Sequence, residues 1–399
     1  MKLLIPLFSP ATGTWGGLTR VIAVAEAVKR NGHQIAFCAS GYLEKSLRNR
    51  GYKVYPMPST TMLGLPKLLS RVIEHRSQRA SIPVKPGKSI GSIWLVFWMS
   101  GYGRANYMRL LVEAEIQAAK DFRADKIFTD LDPGAYPTSV VTGIPLASTY
   151  AHIATHGSGT WTWKLMQRVV DNVLRSNGLH PSSLDELYFG QSVLKIIPSI
   201  PELDGTDADL PDVCYVGNLI SPIQSANTVD FQVEEGKRSV FVYVGTGSIS
   251  LNTLQSVLPK VFPSNSGWHC FVGAQSITNV HQIGAVEFRP YIPAEVLLPR
   301  CDWTICHGGQ NTIIQSLLCD VPLLIFPGPV FERRYNAQKV ETAEAGIMGE
   351  VNMFTVEWFR ESFKKQKECA SHAKILRQRL NSFGGPDAAV EAIMNWQKS

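Results

Sequence analysis

Two rhythms of apolar positions alternate along this chain. Lys2–Phe8 is a short, mostly apolar run with the length of a buried strand, and Leu18, Val21, Ile22, Ala25 and Val28 then fall at i, i+3, i+4 spacing on one face of a helix over Leu18–Arg30. Asn31–Gly32 ends that helix, and His33–Ala39 reads as the next strand. Such a β-loop-α-β unit opens a doubly wound sheet, with the loop Ser9–Gly17 at the carboxyl ends of strands, where these sheets bind ligands. Further strands are expected at Lys126–Asp130, Pro145–Tyr150, Lys195–Pro198 and Val213–Val216, with a short helix at Ala135–Thr142. Ser158–Arg175 reads as a helix or a mobile lid.

The pattern then breaks and restarts. Ile220–Arg238 is polar, with Pro, Ser and Asn, and is the linker candidate. Beyond it come a strand at Ser239–Val244, a helix at Leu251–Val261, and strands at His269–Val272, Val286–Phe288 and Asp302–Cys306. Lys364–Arg379 is a basic helix, Asn381–Pro386 interrupts it, and Asp387–Trp396 is a last helix. A chain of 399 residues is long enough for two domains, each with its own core. The expected division is 1–219, a linker at 220–238, 239–383, and a terminal helix at 384–399.

Composition narrows the class. At 45% apolar and 18% charged the chain reads as globular, and no stretch approaches the roughly 20 apolar residues of a membrane span. Met1–Phe8 is too short for a secretory leader. Seven scattered cysteines without metal-ligand spacing point to free thiols in a reducing cytoplasm. The formal charge is +6, and Leu65–Leu110 accounts for all of it: Lys67, Arg71, Arg76, Arg79, Lys85, Lys88, Arg104 and Arg109 stand against Glu74 alone. Beside them lie Ile93–Met99, Tyr102 and Tyr107. Such a mixture suits peripheral contact with an anionic membrane surface or an anionic lipid acceptor, or else a solvated basic loop followed by a buried helix. No nucleic-acid motif accompanies the charge, so nucleic acid is not an expected partner.

Chemistry concentrates at Cys306–Leu318, CHGGQNTIIQSLL. Gly308 and Gly309, between a strand and a helix, let the backbone come close to a ligand. The N–H groups of Asn311, Thr312 and Ile313 would then point at it with the helix dipole behind them, an arrangement suited to phosphate. His307 adds a charged or neutral donor and Thr312 a hydroxyl. A helix cap with incidental glycines is the alternative reading.

The longer run CHGGQNTIIQSLLCDVPLLIFPGPVFERRYNAQKVETAEAG, preceded by RPYIPAEVLLPRCD, resembles the donor-site segment of GT-B nucleotide-sugar glycosyltransferases, the group holding the UDP-glycosyltransferases and the MurG-type enzymes. Asp320–Pro322, Leu323–Pro327, Glu332 and Asn336–Ala337 stand in the order of that pattern. The resemblance implies a GT-B α/β fold of two Rossmann-like domains facing across a cleft. It implies transfer from a nucleotide diphosphate sugar, UDP-linked by preference, to a small hydrophobic or lipid-linked acceptor, with inversion. It also implies donor contacts at Gly247, Ser248, Tyr291, Ile292, His307, Gly309, Gln310, Asn311, Thr312, Gln315, Glu332 and Arg333. Tyr291 would stack on the base and Ile292 would offer backbone groups to its edge. Gln315 stands where many members have a Glu for the ribose, so a deoxyribose nucleotide fits too. Arg333 stands where many have Gln, which points to an unusual or acidic sugar or a different orientation.

The first loop departs from the group. The histidine that serves many inverting members as base falls on Gly17, and no His, Asp or Glu occurs between Phe8 and Arg20. Asp130 and Asp132, at the end of a strand, are then the candidate bases, with His152 and His156, after the next strand, as the others; an Asx-type turn is the plainer role of the aspartates. Asp130–Leu131–Asp132 and Asp207–Ala208–Asp209 also spell a DxD metal motif, but helix dipoles and basic groups are expected to take the metal's part, and no cofactor is expected. Thr14, Trp15, Gly17, His152 and Trp161 are the expected acceptor contacts, with His152 otherwise a structural hydrogen bonder. Rival readings are a catalytically silent GT-B partner or lipid-binding protein, and a sugar-nucleotide epimerase.

Overall fold

The computed structural model of the chain describes residues 1–9, 15–66, 68–70, 91–205, 210–220, 236–244, 248–274 and 276–397, with the side chains of 15 and 16 left aside. Thr14, Gly247, Asp207–Asp209, most of the linker, and Lys67, Arg71, Arg76, Arg79, Lys85 and Lys88 lie outside the described residues, as does the Trp15 side chain.

The described residues form two compact units, one within 1–70, 91–220 and 383–397, the other within 236–382. In chain order the first contains β1 (Lys2–Pro6), α1 (Trp15–Arg30), β2 (Gln34–Ala39), α2 (Gly41–Asn49), β3 (Val54–Pro56), α3 (Ile93–Met99), α4 (Ala105–Phe122), β4 (Lys126–Thr129), α5 (Ala135–Thr142), β5 (Leu146–Thr149), α6 (Trp161–Ser176), α7 (Leu184–Phe189), β6 (Val193–Ile197) and β7 (Val213–Tyr215). The strands pair in parallel in the order β3-β2-β1-β4-β5-β6-β7. The chain runs outward from β1 in one direction and from β4 in the other, so the sheet's switch point lies between those two strands. In doubly wound sheets ligands bind at the carboxyl ends of such a point.

The helical face expected of α1 is the one buried: Leu18, Val21, Ile22, Ala25 and Val28 all join the core against β1 and β2. Each large side chain so buried stabilises the layer by about 1.5–3 kcal/mol before entropy is counted. The apolar run Ile93–Met99 is a helix with two faces, Trp94 and Phe97 fully buried and Val96 and Met99 exposed. Ser158–Arg175 resolves in favour of a helix, α6, which starts at Trp161 after the Thr160 cap and packs Met166, Val170 and Val173 into the core.

The second unit contains β8 (Arg238–Tyr243), α8 (Leu251–Val261), β9 (Trp268–Gly273), β10 (His281–Ile283), β11 (Val286–Arg289), α9 (Ala294–Leu297), β12 (Trp303–Cys306), α10 (Gln310–Leu318), β13 (Leu323–Ile325), α11 (Phe331–Thr342), β14 (Gly346–Met348), α12 (Val356–Phe363) and α13 (Gln366–Ser382). Its sheet order is β10-β11-β9-β8-β12-β13-β14, parallel except for the edge strand β10. Here the switch point lies between β8 and β12. The expected break at Asn381–Pro386 comes later than the sequence suggests: α13 runs on to Ser382, because Leu380 is still buried and holds the last turn.

The last helix, α14 (Gly385–Asn395), belongs to the first unit. Ala389, Val390 and Ile393 join the core around α1, Arg30 meets Asp387 at 2.9 Å, and Gly385 N–H donates to Val216 O at 2.8 Å.

Candidate functional site

In the second unit the carboxyl ends of β8 and β12 meet at the switch point. His307 leaves β12 with its ring buried, 9% exposed, and its Nδ1 lies 3.3 Å from the carbonyl oxygen of Tyr243 at the end of β8. The Tyr243 and His307 rings lie 5.6 Å apart. A carbonyl only accepts, so Nδ1 carries the ring hydrogen and Nε2 is left with its lone pair. Burial first, and the neighbouring Arg333 charge second, push the His307 pKa down to about 3. The sequence allowed a charged or neutral donor here; the structure has a neutral ring whose donor is already engaged on the protein side. Nε2 has no partner among the described residues.

The turn after His307 needs both glycines. Gly308 has φ of +85°, and a β-carbon on it would sit 2.7 Å from the Arg333 carbonyl oxygen. A β-carbon on Gly309 would sit 2.9 Å from His307 Nε2. Gly309 is the N-cap of α10, so the helix starts at Gln310, and Ile313 N–H already donates to Gly309 O at 3.1 Å. The amides of the first turn are therefore those of Gln310, Asn311 and Thr312, shifted by one from the Asn311–Ile313 set read from the sequence. Nine residues of helix carry a dipole whose positive end sits at this turn.

The opposite wall is the start of α11. Asn336 Nδ2 donates to Gly308 O at 3.0 Å, which fixes the turn from below. Asn336 was legible only as part of a motif; its task appears once α11 is folded against the turn. Arg334 is buried, forms a two-pronged pair with Glu350 at 3.0 and 2.5 Å, and reaches Gly328 O at 3.3 Å. Arg333 is part-buried, and its charge acts on His307 and on the Cys306 thiol. Glu332 is exposed and Gln315 half-buried. Ser248 is buried, with its hydroxyl donating to Val244 O at 3.2 Å. Tyr291 is 68% exposed, a bare ring face, whereas the Ile292 side chain is buried with Phe241, Phe271, Leu297 and Leu298.

In the first unit the switch point holds a different chemistry. Asp130 follows β4 and accepts from Arg20 Nε on Oδ1 and Arg20 Nη2 on Oδ2, both at 3.0 Å, and from Thr149 Oγ1. Arg20 projects from α1 and Thr149 ends β5, so three elements converge on one carboxylate. A β-carbon on Gly17 would fall well inside the van der Waals contact distance of Asp130 Oδ2, 3.3 Å from the carboxyl carbon. A small void lined by Leu7, Phe8, Gly17, Leu18, Leu43 and Asp130 adjoins this contact.

Leu131, in the left-handed region at φ 60°, turns the chain between the two aspartates. Asp132 consequently points inward. It is 1% exposed, accepts from Gly134 N–H at 3.0 Å, and lies beside Glu115, itself 1% exposed and bonded by Thr138 Oγ1 at 2.8 Å. Burial raises both carboxyls, Asp132 to about 6. The DxD motif thus does not present two carboxylates to one ligand: Asp130 answers to Arg20 and Thr149, Asp132 to the core. Glu115 was not singled out from the sequence; its helix position among apolar residues was the available signal.

The remaining candidates are scattered. His152 is half-buried and its backbone N–H donates to Asp204 at 2.9 Å. Trp161 is 56% exposed, edge-on to Trp98 at 4.9 Å. Of the basic stretch, Arg104 donates to Gly64 O at 2.7 Å and Arg109 pairs with Glu113 at 2.8 Å. All seven cysteines are described and none forms a disulfide. Among the described residues no helix is long and apolar enough to cross a membrane.

Residues 239–380 match the glycosyltransferase family 28 C-terminal domain. The chain is 26% identical over 174 residues to the sterol 3-beta-glucosyltransferase of Pichia angusta, an alignment that covers 41% of this chain and spans only 14% of that relative's length. Among solved structures it resembles the glycotransferase of kitacinnamycin (TM-score 0.73, 16% identity, 98% and 97% of the two chains). It also resembles the glycosyltransferase VinC in complex with dTDP (TM-score 0.70, 14% identity, 99% and 98%). At these identities the likeness is one of fold. The fold is GT-B, with two Rossmann-like domains, as the resemblance implied.

Proposed function

We propose that this chain is a glycosyltransferase that moves a sugar from a nucleotide diphosphate sugar to a hydroxyl of a small hydrophobic or lipid-linked acceptor, with inversion. One observation carries the reading. At the switch point of the second sheet, a glycine turn, a helix N-terminus and a nine-tenths buried histidine with an unpartnered Nε2 converge within the segment that matches the family 28 domain.

Such a turn suits a diphosphate leaving group. Negative charge grows on the diphosphate as the glycosidic bond breaks, and preorganised amides at a helix N-terminus stabilise that charge without reorganising. Gln310–Thr312 would supply the amides, and Gly308–Gly309 the close approach. Tyr291 offers its exposed ring to the nucleotide base, and Glu332 and Gln315 offer acceptors to sugar and ribose hydroxyls. UDP is the preferred carrier. A dTDP-linked donor is the alternative, consistent with Gln315 in place of Glu and with dTDP in the VinC complex. On the acceptor side Asp130 is the proposed base, with Asp132 second; Thr14, Trp15, Gly17, His152 and Trp161 are the proposed acceptor contacts. A cytoplasmic location, with contact to the inner membrane surface through 65–110, belongs to the same proposal. Its support is the basic surplus of that stretch and the exposed Val96 and Met99 on α3.

Calorimetry with UDP, dTDP and GDP, and with their sugars, tests the donor site, repeated on His307→Ala. Release of nucleoside diphosphate over a broad acceptor panel tests transfer. Gly17 favours one rival, a silent binding protein: tight nucleotide binding with no turnover on any acceptor would establish that reading instead.

A further inference from the structure

We infer that the groove between the ends of α4 and α5 in the first unit binds a single-chain amphiphile with an anionic head, a fatty-acid carboxylate or an alkyl phosphate. The site lies apart from both switch points and does not depend on the transferase reading.

The first step is position. Helix α4 ends at Phe122 and α5 at Thr142, and the strands that follow them, β4 and β5, pair in parallel. The two helix ends therefore lie at the amino edge of the sheet, the edge opposite Asp130. Between them is an open groove of about 390 Å³, lined by Ile116, Lys120, Arg123, Val141, Thr142 and Ile144. Small-ligand pockets run from roughly 300 to 1,000 Å³. Ala119 and Ala124 also line the groove, and their small side chains leave its floor unfilled.

The second step is charge. Lys120 and Arg123 are exposed, and their side chains have no hydrogen-bond or ion-pair partner among the described residues. The acids nearest in the chain are turned elsewhere: Asp121 accepts from Gln117 at 2.8 Å and Asp125 from the Lys2 N–H at 2.7 Å. A cation in the last turn of a helix ordinarily serves its carbonyls. Here the backbone does so: Arg123 N–H donates to Lys120 O at 3.0 Å and Ala124 N–H to Ala119 O at 2.9 Å. On α5 the Thr142 hydroxyl covers Thr138 O at 2.7 Å. Each helix end is equivalent to roughly half a negative charge, so the two ends offset about one of the two cations. The surplus suits a monoanionic head.

The third step is the conformation of Arg123. It stands at φ 54° and ψ 57°, the left-handed position that closes a helix, where glycine is the usual residue. Gly143 fills the same position at the end of α5, with φ 69°. An L side chain there is strained, and such strain gathers where a side chain clamps a ligand.

The fourth step is the wall. Ile116 and Ile144 are half-buried, packed on one side against the core, and Val141 beside them is half-buried too. Apolar walls gain from an alkyl chain and nothing from an inorganic anion. Two unpaired cations gain nothing from an uncharged lipid. A chain with an anionic head satisfies both.

The test is calorimetry on the full chain with dodecanoate and dodecyl phosphate, below their micelle concentrations, against acetate, inorganic phosphate and dodecanol. The same titrations are run on Lys120→Gln, Arg123→Gly and the double variant. Arg123→Gly relieves the left-handed strain, so its melting temperature should not fall, and a loss of binding there is not a loss of fold. Removing one charge-assisted contact weakens binding roughly ten- to hundred-fold. The expected result is saturable binding of the amphiphiles, that loss in each single variant, a larger loss in the double variant, and much weaker binding of the three controls. Tighter dodecanoate assigns the fatty acid, and tighter dodecyl phosphate the alkyl phosphate. Three results overturn the inference: no binding of either amphiphile to the native chain, unchanged affinity in the double variant, or a control that binds as tightly as the amphiphiles.

Discussion

Gly17 and Asp130 occupy one place. A β-carbon at residue 17 would require the Asp130 carboxylate to move, because the carboxylate already fills that volume. Asp130 is in turn held by Arg20 on both oxygens and by Thr149. An ion pair between α1 and the end of β4 thus lies against Gly17.

Gly17→Ala should therefore force the pair apart. Overpacking of this kind costs about 1–3 kcal/mol, read as a lower urea midpoint at unchanged slope. A variant as stable as the native protein would show that the contact is relieved by a trivial shift.

Asp130 as base predicts that Asp130→Asn lowers kcat by roughly 10²–10⁴-fold while donor affinity is kept. Nucleotide-sugar turnover measures it, once an acceptor is found. Full activity in Asp130→Asn, with loss in Asp132→Asn, would move the role to the buried aspartate.

His307 carries a pH signature. Its pKa falls from 6.5 to about 3 on folding, so below pH 6.5 the unfolded chain binds a proton that the folded one refuses. Stability present above pH 6.5 is lost as pH falls toward 3, at up to about 1.4 kcal/mol per pH unit. His307→Asn should flatten that slope. Urea midpoints between pH 7 and pH 4.5 compare the two, and parallel curves would refute a neutral, buried ring.

Glu115 and Asp132 predict the opposite slope. Burial first, and the Asp132 charge second, raise the Glu115 carboxyl well above its usual value, and burial places Asp132 near 6 against the lowering hydrogen bonds from Glu115, Gly134 and Ala135. Stability is full below the ordinary carboxyl range and declines as pH rises through the folded values. Glu115→Gln keeps an acceptor for Thr138 and removes one charge, so it should stabilise the protein at pH 8 and make little difference at pH 4.5. Thermal melts at the two values decide.

Asn336→Ala removes the bond that sets the Gly308 carbonyl. The expected effect is about 1 kcal/mol, several-fold in nucleoside diphosphate affinity, with the melting temperature little changed. Isothermal titration with UDP or dTDP measures it; a large drop in stability with normal affinity would make Asn336 a fold residue only.

Much of the architecture was legible in the order of residues. The helices Ala135–Thr142 and Leu251–Val261 have the bounds read from the sequence, and the strand–turn–helix at His307 lies where two glycines follow an apolar run. These features depend on periodicity, caps and turn residues within a few positions of each other. The helix start at Gln310 was misplaced by one because its N-cap, Gly309, has no side chain to announce it.

What neighbours in the chain determined by themselves was the alternation of strands and helices and the presence of a glycine turn before a helix. Only the tertiary structure decided which atoms those residues present. The hydrogen on His307 is set by a carbonyl 64 residues away, and the carboxylate over Gly17 comes from 113 positions on and is held by an arginine 110 positions before it. Sheet order brings such partners together, and sheet order follows from packing the whole core, which no local spacing records.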